Sequence, residues 1–453
     1  MSSSLRVTTL DPAGQARERV LAIRDGWLTE EDGSVVETVS GLTLPGVPNL
    51  HSHAFQRAMA GLAERAGPVG DSFWTWREVM YRFLARLEPD DVEAIAAQLY
   101  VELLKSGVTS VGEFHYLHTA PDGHPYGDVA EMADRIVAAA ETSGIRLTLL
   151  PVLYQTSQFG GAPPTEGQRR FVLPTDVFAR LVQDLVRRHG GKPLVRLGIA
   201  PHSLRAVTPD ALDAAVALAR EIGPEAPIHI HAAEQVKEVE DCLAWSGSRP
   251  VAWLLDHQPV DQRWCLIHCT HLDADERGRL ARSGAVVGLC PSTEANLGDG
   301  VFPFPDFLAE GGRFGVGSDS NVCVSPAEEL RLVETVQRLN LRARNVGERQ
   351  PGHSVGTALL ARATAGGAQA LALAGGALAP GQSADLVVLD TDHPSLVGRS
   401  GATAIDSWIF GSHGTSPVRD VMVGGAWVVR DGHHAREDEI LDRFRRTMRR
   451  LAS

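Results

Sequence analysis

The sequence predicts an α/β protein: a (β/α)8 TIM-like barrel with a small β-sandwich domain formed by both chain ends. Three observations predict it. Eight short apolar runs alternate with amphipathic stretches between about Leu42 and Arg342. Polar, chemistry-bearing residues gather just past the ends of those runs, as they do at the mouth of a barrel. The chain on either side of the alternating part reads as short strands and turns. The expected division is 1–44 and 377–453 for the two parts of the sandwich, and 45–376 for a metal-dependent barrel.

Taken in order, Leu5 to about Glu37 reads as short strands, with Asp32-Gly33 as a hairpin turn. The barrel strands are expected at Leu42–Asn49, Ser110–Phe114, Arg146–Leu153, Val195–Ala200, Pro227–His231, Trp264–His268, Ala285–Leu289 and Phe314–Gly317. Helices are expected between them at Pro89–Lys105, Asp128–Thr142, Asp176–Arg188, Pro209–Glu221, Asp273–Arg282 and Pro326–Arg342. Pro89 and Pro209 suit a first helical turn, where the missing amide hydrogen costs nothing. Two stretches interrupt the alternation: aromatic, basic Pro68–Leu87 and Gly-rich Gln155–Phe171. In a barrel, insertions after strands build the rim of the site. Near the C-terminus, Gly381–Asp390 and Val418–Val429 read as short sheet segments. A doubly wound open sheet is the competing fold, but no Gly-x-Gly-x-x-Gly follows an early strand.

Composition narrows the function. The net charge is −13 with both signs interspersed, and no basic stripe suggests nucleic acid. No apolar run approaches the roughly 20 residues of a membrane helix, so no membrane is expected as a partner. An acidic surface does not attract anions, so an anionic substrate needs arginines at the site itself. The five cysteines are odd in number and lack a Cys-x-x-Cys, which points to reduced thiols in the cytoplasm. Cys265 and Cys269 flank a candidate strand and suit packing.

His51-Ser52-His53 closes the first apolar run, and side chains two apart on a strand share a side. Further along stand Tyr116 past the second strand, His202 and Arg205 past the fourth, and His231 and Glu234 at the fifth. His268 ends the sixth and Asp319 follows the eighth. His231 lies nearer its strand's end than His229, which is expected deeper in the barrel; His268 ends a strand whereas His271 falls in a loop. Three neutral histidines and a carboxylate drawn from these strand ends, His231 among them, suit Zn²⁺ with one position left for water, with Fe²⁺ or Mn²⁺ as alternatives. Zinc draws the pKa of such a water from about 16 towards about 7. Glu234 is placed to carry its proton to a leaving group. This chemistry hydrolyses a carbon–nitrogen centre. Arg196 is the only charged residue of Val195–Ala200; with no bridging lysine there, one metal is favoured over two.

The order His-x-His, His-x-x-Glu, His, Asp, closed by Gly381-Gln382-Ser383-Ala384-Asp385-Leu386, resembles the deaminase branch of the amidohydrolase superfamily over nearly the whole chain. The finer likeness is to the formimidoylglutamate deiminases of histidine breakdown. It is carried by Pro48 to Gly61, Trp76-Arg77, His115-Tyr116, Gly167-Gln168-Arg169-Arg170-Phe171, Pro201 to Arg205 and Gly317 to Ser320. The resemblance implies that His51, His53, His231 and Asp319 hold the metal, with Glu234, His268 and Asp319 catalytic. Glu234 is then the proton shuttle, and His268 polarises the attacking oxygen. It further implies substrate contacts from Gln56, Arg77, Tyr116, His202 and Arg205, and a homodimer. The implied reaction converts N-formimidoyl-L-glutamate to N-formyl-L-glutamate and ammonia. Two carboxylates on that substrate suit two arginines, whose forked guanidinium binds carboxylate bidentately.

Two other readings stand beside this one. The first is a related deaminase or iminohydrolase acting on another amidine or a purine-like ring; paired arginines at the mouth argue against a neutral ring. The second is a metal-binding scaffold without catalysis; the presence of both Glu234 and His268 argues against it.

Overall fold

The computed structural model describes residues 2–30, 37–67, 70–412 and 414–452. The expected Asp32-Gly33 turn lies outside the described residues, as does Pro68 of the aromatic insertion.

Eight parallel strands form the barrel: β1 (Val47–Ser52), β2 (Val108–His115), β3 (Arg146–Leu153), β4 (Val195–Leu197 with Ala200–Pro201), β5 (Ile228–Ala232), β6 (Trp264–His268), β7 (Val286–Leu289) and β8 (Arg313–Val316). They pair in sequence order as two runs, β1 to β4 and β5 to β8. Parallel bridges join the runs. Ile199 pairs with Ile228 and Ser203 with His231 on one side; Ser52 pairs with Asp319 on the other. The cylinder is therefore closed, and sheet edges that could pair with other chains are removed. The barrel strands are buried along nearly their whole length, as expected of strands covered on both faces. Deep inside, Leu50 packs with Ile267 and Val286, and with Ala370 and Leu371 at the end of the helix Val355–Ala370.

The amphipathic stretches fold as helices close to their expected bounds, including Pro89–Lys105 and Pro326–Leu341. Both carry proline in the first turn. The aromatic insertion forms helix α1 (Phe73–Leu84) ahead of α2 (Pro89–Lys105).

Two expected strands are corrected by the structure. The run Leu42–Asn49 belongs to two sheets. Glu37–Pro45 joins the terminal sheet, and β1 starts at Val47. Gly46 is the joint: a Cβ there would overlap the Thr109 side chain on β2, so only glycine lets the chain cross. The fourth strand breaks in two around Gly198, where a Cβ would lie 2.5 Å from the Pro227 carbonyl oxygen. Apolar character alone cannot mark such a change of sheet.

The chain ends meet in one eight-stranded sheet. Ser2–Leu10 pairs antiparallel with Ala16–Arg24 and parallel with Glu37–Pro45. Glu37–Pro45 in turn pairs antiparallel with Leu386–Leu389, followed by the hairpin Val418–Val423 and Ala426–Arg430. The sheet folds over on itself: Trp27, on its far edge, bridges to Ser383 just ahead of Leu386–Leu389. Leu5, Val7, Leu21, Ile23, Leu28, Val39, Leu386, Val388 and Met422 fill the space between the two halves.

One buried ion pair ties this sheet to the barrel. Arg146, at the start of β3, holds Asp385 bidentately, each hydrogen bond 3.0 Å long. Asp385 also accepts from Ser383 Oγ at 2.9 Å and the Gly424 amide at 2.7 Å. Removing one partner of such a pair strands a charge in the interior. Asp385→Ala is expected to lower unfolding free energy by about 3–5 kcal/mol, read by chemical denaturation, while leaving the metal content of the folded fraction unchanged.

Candidate active site

The ends of β1, β5, β6 and β8 bring the expected histidines and aspartate to one point. His51 Nε2 lies 3.1 Å from His231 Nε2. Asp319 Oδ1 lies 3.2 Å from His53 Nε2 and 3.7 Å from His51 Nε2. The backbone makes this meeting obligatory: the Asp319 amide donates to the His51 carbonyl, and the His53 amide to the Asp319 carbonyl, each at 3.0 Å.

The far nitrogens of two rings fix their tautomers. His53 Nδ1 donates to the Phe114 carbonyl at 2.9 Å, and His231 Nδ1 to the His202 carbonyl at 3.1 Å. A proton on Nδ1 leaves Nε2 as a bare lone pair. Burial pushes the pKa of all three rings down, His53 to about 3, and neighbouring rings add to this at His51 and His231. Lone pairs converging on each other and on a buried carboxylate repel unless a cation sits among them. Ligands about 2.0–2.1 Å from a tetrahedral metal are themselves about 3.3 Å apart. The donor set therefore fits a metal ion held by His51, His53, His231 and Asp319. Those three histidines could hold one with ligand atoms all within 4.8 Å of one another.

His229, two residues from His231, points elsewhere: its Nε2 donates to the Ala370 carbonyl at 2.7 Å. His271 donates to the Asp299 carbonyl at 2.9 Å, in the loop.

Glu234 and His268 face the same space. His268 Nε2 is 3.7 Å from Glu234 Oε1 and 3.7 Å from Asp319 Oδ2, and has no hydrogen-bond partner although fully buried. Its Nδ1 donates to Glu294 Oε1 at 3.2 Å. Burial alone would lower the pKa of His268, but Glu234, Glu294 and Asp319 hold it up, at about 10. Burial pushes the Asp319 carboxyl up to about 7. Ala233, His268, Cys269, Asp319 and Asn321 all take left-handed backbone conformations, rare for residues with a Cβ. Five such residues at strand ends turn the chain sharply enough to aim these side chains inward.

Around this point lies a cleft of about 510 Å³. Gln56, Arg77, Tyr116, His202 and Arg205 all line it. Gln56 Nε2 donates to the Tyr116 hydroxyl at 2.8 Å. Arg77 Nε donates to the Tyr81 hydroxyl at 2.9 Å. Both guanidiniums lie over aromatic faces, Arg77 5.1 Å from the Trp74 ring centre and Arg205 5.7 Å from that of Phe73. Arg205 is buried, yet its only ion pair among the described residues is a long one, 4.0 Å to Glu234 Oε2.

Three contributors escape sequence reasoning. Glu294 orients His268 from the helix Pro291–Leu297. Asn321 stitches the seam, its Nδ2 donating to the His53 and Asp319 carbonyls at 3.0 and 2.9 Å. Tyr154 lines the cleft, beside Phe171 of the expected rim segment. For Glu294 the signal is its place five residues past the end of β7, the same rim that supplies the other groups.

The fold and site together define the class: this chain belongs to the amidohydrolase family, whose sequence profile matches residues 42–428. The formimidoylglutamate deiminase of Pseudomonas aeruginosa is 53% identical to it over 449 residues, which cover 97% of each protein. A 5-methylthioadenosine/S-adenosylhomocysteine deaminase of Natronomonas pharaonis is 29% identical, covering 95% of this chain and 91% of its own. The crystal structure of an amidohydrolase from Brucella melitensis matches all of both chains with a TM-score of 0.93 and 49% identity.

Two neighbouring histidines should separate cleanly. His231→Ala is expected to abolish metal uptake by elemental analysis of the purified protein. His229→Ala should retain the metal and lose about 1–3 kcal/mol of stability, because the Ala370 carbonyl is left without its donor.

Proposed function

We infer that the protein hydrolyses N-formimidoyl-L-glutamate to N-formyl-L-glutamate and ammonia, with zinc held by His51, His53, His231 and Asp319. The observation that carries this is the pair of arginines. Arg77 and Arg205 line the cleft that contains the histidine cluster; among the described residues Arg77 forms no ion pair, and Arg205 forms only the long one of 4.0 Å to Glu234. Guanidiniums of this kind await a ligand's own carboxylates, and this substrate brings two. The 53% identity to a formimidoylglutamate deiminase over nearly the full length supports the same choice. The five unpaired cysteines, four of them buried, support a reducing cytoplasmic setting.

A zinc ion held by His51, His53, His231 and Asp319 would supply Lewis acidity that lowers the pKa of water to about 7. The rest follows from the chain's own groups. Arg77 and Arg205 hold the substrate's carboxylates and present its formimino carbon to the histidine cluster. Glu234 takes a proton at its carboxylate from the attacking water. It passes that proton to the imino nitrogen as the C–O bond forms, then carries the remaining hydroxyl proton of the tetrahedral carbon to the same nitrogen; the C–N bond breaks, ammonia departs and the formyl C=O is left. His268, kept protonated by the carboxylates around it, offers Nε2–H to the negative charge that develops on the incoming oxygen. Glu294 holds the ring at Nδ1, much as an aspartate holds the histidine of a hydrolytic triad. Gln56 and Tyr116, bonded to each other, form the polar wall beside His53. The aromatic residues of α1 and Phe171 exclude water from the far side.

Protein loaded with zinc should release ammonia from N-formimidoyl-L-glutamate; turnover of a purine in its place would discard the assignment. Glu234→Gln is expected to remove turnover while the metal stays bound, and surviving activity would overturn the shuttle role. Arg205→Met should raise KM by roughly ten- to a hundredfold, the cost of one charge-assisted contact.

A further inference from the structure

Helix α1 delivers Arg77 and Tyr81 to the cleft. Phe73, Met80 and Leu84 are buried, and Trp76, Val79, Tyr81 and Phe83 pack half-buried against the core. Apolar contacts hold the helix down without fixing where it sits along its axis; polar contacts from outside the helix set that.

The chain between Tyr154 and Leu173 supplies the fixing points. Arg170 is buried, 2% exposed, and makes no ion pair with a carboxylate among the described residues. Its guanidinium is bonded to carbonyls instead. Nε donates to the Thr119 carbonyl at 2.8 Å. Nη1 donates to the carbonyls of Leu84 and, at 2.9 Å, Leu87. Leu84 ends α1 and Leu87 lies just beyond it. The Leu84 carbonyl, at the negative pole of α1, also accepts from the Leu87 amide at 3.2 Å, so the guanidinium closes the turn that ends the helix and stabilises that pole. The Arg170 carbonyl accepts from the His118 and Thr119 amides at 3.0 and 3.2 Å, which ties the grip to the rim after β2.

Three residues before Arg170, Gly167 lies flat on the Tyr81 ring. A Cβ there would come to 2.5 Å of Tyr81 Cδ2, so any larger residue must push the ring away. Tyr81 is the residue whose hydroxyl accepts from Arg77. A continuous path thus runs from Arg170 and Gly167 through the end of α1 and Tyr81 to Arg77. A buried guanidinium with no counter-ion is costly, so what it holds must repay the burial.

We propose that Arg170 is the positioning residue for Arg77, with Gly167 as the seat of Tyr81, and that the two set the enzyme's affinity for its acidic substrate. The proposal rests on Arg77 being a carboxylate donor. It concerns the placing of α1, so its signature is in KM and not in the chemical step.

The test is steady-state kinetics of the zinc-loaded enzyme on N-formimidoyl-L-glutamate. The variants are Arg77→Met, Gly167→Ala, Arg170→Lys and each of the last two combined with Arg77→Met, with melting temperature and metal content measured alongside. Gly167→Ala and Arg170→Lys are each expected to raise KM about tenfold or more while kcat changes by less than about twofold, as a displaced binding group does. Neither should raise KM further once Arg77 is Met, because groups acting through one residue are not additive. Gly167 is only half-buried, so its variant decides the matter if Arg170→Lys does not fold. The proposal alone is overturned if Arg77→Met raises KM while the other two variants do not, or if their effects multiply with that of Arg77→Met. If Arg77→Met leaves KM unchanged, the reading of Arg77 fails and the proposal falls with it.

Discussion

The interaction on which the rest depends is the seam between the first and last barrel strands. Two backbone hydrogen bonds of 3.0 Å join Asp319 to His51 and His53, and Ser52 pairs with Asp319 across the gap. Three of the four proposed metal ligands therefore sit on directly bonded backbone. Closing the cylinder and assembling the ligand set are one event. This explains the density of hydrogen bonds behind the seam, where Asn321 and Ser318 satisfy Asn49, His53 and one another. It also explains the tolerated strain. Left-handed Asp319 and Asn321 each cost free energy, which the ring of neighbouring strands offsets because the whole barrel must rearrange to relax them.

Much of this was legible in the residues. Period-two spacing placed His51 and His53 on one side, and the strand-end rule separated His231 from His229 and His268 from His271. Those choices work because a barrel has one mouth, so position along a strand maps onto depth. What stayed hidden was of another kind. Gly46 and Gly198 look like ordinary glycines until the Thr109 side chain and Pro227 carbonyl beside them are seen. The change of sheet at Gly46 leaves no trace in hydropathy, because both sheets bury the same apolar residues. Glu294 reaches His268 and Asn321 reaches His53 across long stretches of chain, through hydrogen bonds that no periodicity encodes. Arg170 stood inside a recognised motif, but its partners are main-chain carbonyls, and a sequence does not reveal which carbonyls lack donors.

The electrostatics of the cleft divide its labour. On one side, desolvation holds three imidazoles neutral, the form that binds metal. On the other, carboxylates keep His268 charged within the same small volume. Further out, two guanidiniums rest on aromatic faces, which steady a cation without neutralising it. A molecule carrying net charge −13 thus places two guanidiniums in the one cleft where an anion would meet the histidine cluster.

The joint at Gly46 bears on how the chain is made. Glu37–Pro45 leads directly into β1, but its antiparallel partner, Leu386–Leu389, lies near the other end of the polypeptide. During translation that strand leaves the ribosome with one flank open and must wait on the order of tens of seconds for its neighbour to be synthesised. Throughout that interval Leu42 and Leu44 are exposed on a strand edge of the kind that recruits other chains. A strand edge that stays open until the chain is nearly finished is the kind of surface that chaperones cover.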